Sequence, residues 1–112
     1  MIDLTALSHR FQRICVLGLG VSGEAVIKAL QHNRIAFTVW DTRPALRDRA
    51  AQDGLAIADP LQMCAAGDLV IRSVGIPPHD PLILALEQAN VTLWNDLDLL
   101  YFANPQARYL GV

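Results

Sequence analysis

The chain has little aromatic character, only two cysteines and no run of basic residues. Phe, Trp and Tyr make up 6% of its 112 residues, and the formal net charge is −2. Without a basic stripe or an aromatic stacking platform, it lacks the footprint of a nucleic-acid-binding protein. No apolar run reaches the ~18 residues of a membrane span. Asp3, Ser8, His9 and Arg10 interrupt the N-terminal stretch, so it contains no apolar signal core. Cys15 and Cys64 lie in apolar segments without metal-ligand spacing. They read as reduced core residues, and the chain as a cytoplasmic one. There is no Ser-His-Asp arrangement, no metal cluster and no phosphate loop of the G-x-x-x-x-G-K-[ST] type, so no residue is assigned to catalysis or to a metal. His79 reads as a loop residue, and His9 and His32 as peripheral.

What the chain does have is apolar: 53% of the residues, enough for one core in one small domain. The stretch that organises it is Gly18-Leu19-Gly20-Val21-Ser22-Gly23, a G-x-G-x-x-G between an apolar strand (Arg13 to Leu17) and a helical pattern (Val21 to His32). In that setting the first glycine permits a tight turn, the second lets a phosphate approach the backbone, and the third lets the helix pack closely on the sheet. The helix start then offers free N–H groups and the positive end of a dipole to an anion. A glycine turn that only packs strand on helix is the plainer alternative.

Further along, Ile35 to Trp40 reads as a second strand. Pro44 opens a helix that runs to Asp53-Gly54, and Leu55 to Ala58 reads as a short strand. Asp59-Pro60 opens a helix closed by Gly67, Asp68 to Ile71 is a strand, and Asp80-Pro81 starts a helix through Ala89. Val91 to Trp94 is a strand, Asn95 caps a helix through Phe102, and Ala107 to Val112 is a last strand-like run. Strands alternating with short helices predict an α/β fold: Rossmann-like, a mostly parallel sheet of about five strands with helices on both faces.

In such sheets ligands sit beyond the carboxyl ends of the strands. Gly20, Val21 and Ser22 follow the first strand, and Asp41, Thr42 and Arg43 the second. Ser73 and Gly75 follow the Asp68–Ile71 strand, and Asn95 and Asp96 the strand after it. Asp41 stands where a dinucleotide fold places an acid against a ribose or base; it also suits a plain turn. Arg43 suits a phosphate, a base or solvent. Ser73 and Gly75 suit a phosphate or simply a tight turn before two prolines. The residues by themselves lead to a nucleotide- or phosphate-binding domain.

The order of motifs resembles the N-terminal domain of the Mur ligases, in the branch that adds D-glutamate. The resemblance rests on V-L-G-L-G-V-S-G at 16–23, W-D-T-R-P at 40–44, D-L-V-I-R-S-V-G-I at 68–76, W-N-D-L-D-L-L at 94–100 and A-R-Y-L-G-V at 107–112. It covers nearly the whole chain. It implies that residues 1–106 anchor the UDP part of UDP-N-acetylmuramoyl-L-alanine, with residues 107–112 the first strand of a central ATPase domain. Val21 and Ser22, with Gly20, would meet the diphosphate; Asp41, Thr42 and Arg43 the uracil; Ser73 and Gly75 the phosphate and sugar path. ATP and Mg2+ would belong to the full-length enzyme, whose central and C-terminal domains are then the partners of this one. The chain alone would hold no cofactor and no ligase activity. One departure stands in the third motif: Val74 replaces the family's usual proline, which restores an N–H and loosens the turn. The competing expectation is an NAD(P)-binding regulatory or redox module, which the glycine motif and Asp41 also allow.

Overall fold

The computed structural model describes residues 4, 6–73, 76 and 79–103. After a short helix α1 (Leu7–Arg10), strand β1 (Ile14–Leu17) leads into helix α2 (Val21–His32) and strand β2 (Thr38–Trp40). Helix α3 (Pro44–Gln52) and the four-residue helix α4 (Pro60–Met63) precede strand β3 (Leu69–Arg72). Helix α5 (Pro81–Gln88), strand β4 (Thr92–Trp94) and helix α6 (Asp96–Ala103) follow. Among the described residues the sheet is four-stranded, parallel throughout and ordered β2-β1-β3-β4.

All four residues of β1 are buried, as an unbroken apolar run requires when both sheet faces are covered. Ile14 and Val16 point with Val39, Leu69 and Ile71 into a core closed by Leu7, Val26, Leu30, Ala50 and Leu99 from α1, α2, α3 and α6. Cys15, Leu17 and Val70 point the other way, against Cys64, Ile83 and Leu86 beside α4 and within α5. Both thiols are free, and burial pushes the Cys15 thiol up to about 12.

Most boundaries fall within a residue or two of the reading of the sequence, and three differences are larger. The expected strand Leu55–Ala58 is reduced to one parallel bridge, Ile57 to Val39, held by Val39 N–H to the Ala56 carbonyl (2.9 Å) and Ala58 N–H to the Val39 carbonyl (3.2 Å). Between Gly54 (φ +83°) and the Asp59 cap there is room for no more. Strand β2 starts at Thr38 rather than Ile35, because Arg34 turns with φ +56° and the Ile35 N–H is spent on the Leu30 carbonyl, closing α2. Helix α4 stops at Met63, short of Gly67, because the buried Asp68 carboxylate takes the Ala65 N–H (2.9 Å). The expected run 107–112, like Asn104-Pro105 and Val74, lies outside the described residues.

The cap signals hold. Asp59 accepts from Leu61 N–H and Asp80 from Leu82 N–H, each at 2.9 Å and each followed by proline at the first helical position. At α6, Asn95 Oδ1 accepts from Asp98 N–H (2.9 Å) while Asp98 returns a carboxylate oxygen to Asn95 N–H (3.0 Å), a reciprocal cap. Phe11, Trp94 and Phe102 stack edge to face or tilted at 5.3–5.4 Å, with the Arg10 guanidinium 5.5–5.8 Å from all three rings. This ties α1 to β4 and α6.

From β1 the chain moves outward to β2 and the Ile57 bridge, then returns past β1 to build β3 and β4 on its other side. The direction reverses between β1 and β3, and a crevice opens at their carboxyl ends.

Candidate binding cleft at the carboxyl edge of the sheet

Gly18 turns the chain off β1 with φ +98°, a conformation that favours glycine. A Cβ there would stand 2.9 Å from the Cβ of Ser73, so the glycine loop lies directly against the loop after β3. Backbone bonds hold this edge: Gly18 N–H to the Trp40 carbonyl at 2.8 Å, and Ser73 N–H to the Leu17 carbonyl at 2.9 Å. A Cβ at Gly23 would fall on the Gly18 carbonyl oxygen, so α2 starts in backbone contact with the loop it follows. Gly20 is different. Its φ of −79° is ordinary, and nothing lies within 4 Å of where its Cβ would be. It is the N-cap of α2 and has no side chain to satisfy the first-turn N–H groups, which leaves that end of the helix suited to an anion.

Asp41 is 4% exposed, and its carboxylate is fully engaged. Oδ2 accepts from Leu19 N–H and from Arg43 Nη2; Oδ1 accepts from Arg43 N–H and Nε; all four bonds are 2.9 Å. The bidentate guanidinium first, then the backbone donors, hold this carboxyl down at about 2 against the cost of burial. Asp41 thus ties the glycine loop to the end of β2 and fixes Arg43. The guanidinium itself stays mostly exposed, with Nη1 uncommitted among the described residues.

These loops enclose a cleft of about 350 Å³ lined by Leu17, Gly18, Gly20, Asp41, Thr42, Arg43, Ser73, Ile76, Asp80 and Leu82. Of the residues expected at a site, Gly20, Asp41, Thr42, Arg43 and Ser73 come together here. Val21 and Ser22 form the adjoining first turn of α2, and Gly75 lies outside the described residues. Asn95 and Asp96 are not among the lining residues. Ile76, Asp80 and Leu82 were not anticipated. Asp80 was legible only as a cap, although its place after β3 puts it at the same edge. Arg72 braces this side, its Nη1 donating to the Ile76 carbonyl at 3.0 Å. A second hollow of about 250 Å³, lined in part by Glu24, Lys28, Arg49 and Asp53, lies between α2 and α3, away from the β2 and β3 loops.

Among the described residues, no three His, Cys, Asp or Glu side chains come together as a metal site, and no helix is long and apolar enough to cross a membrane.

Residues 13–89 match the family model described as the NAD binding domain of 6-phosphogluconate dehydrogenase. Among relatives, the UDP-N-acetylmuramoylalanine–D-glutamate ligase of Paramagnetospirillum magneticum is 38% identical across 100% of this chain and 25% of its own length. The ligases of the same name from Mycolicibacterium vanbaalenii and Mycobacterium leprae are 31% and 32% identical, over 86% and 88% of this chain and 20% and 23% of their own lengths. The chain therefore spans a fifth to a quarter of these relatives. No solved structure matches it.

Proposed function

This chain belongs to the family described as the NAD binding domain of 6-phosphogluconate dehydrogenase, and we propose that it is the N-terminal domain of a Mur ligase like the relatives it matches, with a cleft that anchors the UDP part of UDP-N-acetylmuramoyl-L-alanine. The observation that carries this reading is the cleft itself: an open Gly20, an uncapped start of α2 and a held but exposed Arg43, gathered at the switch point of a parallel sheet. Gly20 and the first turn of α2, Val21 and Ser22, would take the diphosphate through backbone N–H groups. Thr42 and Arg43 would face the uracil, with Asp41 holding Arg43 in place. Ser73 and Gly75 would line the path of phosphate and sugar.

In this reading the domain contributes binding rather than bond-making. Gripping a remote nucleotide handle sets where the distant carboxylate lies, so binding energy becomes positioning. ATP, Mg2+ and formation of the amide with D-glutamate would fall to other parts of a full-length cytoplasmic ligase, since this chain carries no phosphate-loop sequence.

The matching family model favours a second reading, a nicotinamide dinucleotide site. The residues fit it poorly. In a dinucleotide fold the acid after the second strand accepts from ribose hydroxyls, whereas both oxygens of Asp41 are already filled by Leu19 and Arg43.

An amide NMR titration of the chain separates the two. With UDP-N-acetylmuramoyl-L-alanine, saturable shifts are expected at Leu19, Thr42, Arg43 and Ser73, with a dissociation constant on the order of 0.1–1 mM, roughly 4–5.5 kcal/mol. NADH and NADPH are expected to leave these amides in place. Shifts with a nicotinamide cofactor alone would reverse the assignment.

A further inference from the structure

We infer that Asp80 is the acceptor that this cleft offers to the hydrogen-bond donors of a uridine diphosphate. The inference rests on the reading of the cleft as a UDP site. Among the described residues two carboxylates line the cleft, Asp41 and Asp80. A carboxylate has about four acceptor positions, and Asp41 uses its own on four protein donors. Asp80 is half-buried and spends one oxygen, Oδ1, on the Leu82 N–H at 2.9 Å. Among the described residues no cation pairs with it and its Oδ2 has no partner. Among the described residues it is the one acid of the cleft with acceptor capacity to spare.

Its placement also orients the ligand. The positive features of the cleft, the start of α2 and Arg43, come from the loops after β1 and β2. Asp80 enters from the segment after β3. A phosphate is repelled by the Asp80 carboxylate and drawn to the start of α2, whereas a donor of the uridine, first of all a ribose hydroxyl on the Ser73 side of the cleft, is drawn to Asp80. A ligand with a diphosphate at one end and donors at the other matches that polarity. Uridine diphosphate has three such donors: the 2′-hydroxyl, the 3′-hydroxyl and the base N3–H.

The test is calorimetric or NMR titration of the wild-type chain and D80N with UDP and with inorganic pyrophosphate. Asparagine caps a helix as well as aspartate, so α5 and the unfolding midpoint should persist; Asp80→Ser, another good cap, serves as a second variant. With its oxygen committed to Leu82, the asparagine presents only an amide donor to the ligand. UDP is expected to bind D80N about 10-fold more weakly, the size of effect expected when a hydrogen bond to a charged group is lost. Pyrophosphate is expected to bind as well or better. With one of 2′-deoxy-UDP, 3′-deoxy-UDP or N3-methyl-UDP the wild-type advantage should shrink below 2-fold, and that analogue identifies the donor. Equal or tighter binding of UDP by both variants would overturn the assignment, as would three analogues that all retain the full advantage. A wild-type chain that ignores UDP would instead overturn the reading of the cleft and this assignment with it.

Discussion

Gly23→Ala is expected to leave the chain largely unable to hold its fold. The added Cβ meets the Gly18 carbonyl oxygen, a backbone atom with no rotamer to swing away. To relieve it, α2 must withdraw from the loop, yet Val26, Ile27 and Leu30 hold the helix on Ile14 and Val16 at the centre of the sheet. Overpacking of this kind commonly costs about 1–3 kcal/mol and more where backbone must move. We expect roughly 3 kcal/mol or above, a large share of the ~5–15 kcal/mol typical of a domain. Urea unfolding measures it. Gly20→Ala is the control: its Cβ enters open space, so stability should change by no more than about 1 kcal/mol while UDP binding falls. A Gly23→Ala chain as stable as wild type would show that the close approach of α2 to Gly18 is not real.

The second large effect is at Asp41. Asp41→Asn should loosen the glycine loop and release Arg43, at a cost of about 2–3 kcal/mol, less than for a fully buried ion pair because the guanidinium is well solvated. It should also weaken UDP binding at least about 10-fold, since Leu19 and Arg43 lose their common anchor. The sign of the acid response follows from the lowered pKa. A carboxylate held at about 2, against an ordinary 3.8, contributes its full stabilisation above pH ~4 and loses it as the pH falls toward 2. The linked free energy is on the order of 1–2 kcal/mol after allowance for the exposed partner. Unfolding midpoints measured from pH 6 down to pH 2 should therefore fall more steeply for wild type than for Asp41→Asn. Parallel curves would mean that the carboxylate is not held as described.

Much of this arrangement could be read from the chain before folding, because the signals were local. Gly18, Gly20 and Gly23 placed a turn and a helix start, Asn33 marked the end of α2, and the Asp-Pro pairs at 59–60 and 80–81 opened two helices where expected. What was illegible depended on which partner a side chain takes in the fold or on uncommon backbone. Arg34 adopts a left-handed φ without being glycine, which costs β2 its first three expected residues. Asp68 ends α4 from three positions beyond Ala65. The motif put Asp41 at the right edge of the sheet, but motif spacing carries no information on whether its oxygens remain free. That depends on Arg43 folding back over two residues and on Leu19 arriving from another loop. For the same reason a glycine motif plus an acid matches a nicotinamide family as readily as a uridine one. On the reading proposed above, the difference lies in which acid keeps an open oxygen.

The two cysteines give the fold a chemical clock. The nucleophile in alkylation is the thiolate, and with Cys15 pushed up to about 12 only about one thiol in 10⁵ is ionised at neutral pH while the sheet is closed. Burial adds a steric block, since Cys15 is 0% exposed between β2 and β3 and Cys64 is also buried. Reagent consumed at Cys15 therefore counts openings of the central strand. A slowing of that count on addition of a uridine nucleotide would report occupancy of the cleft from the interior of the sheet, through a residue that no ligand touches.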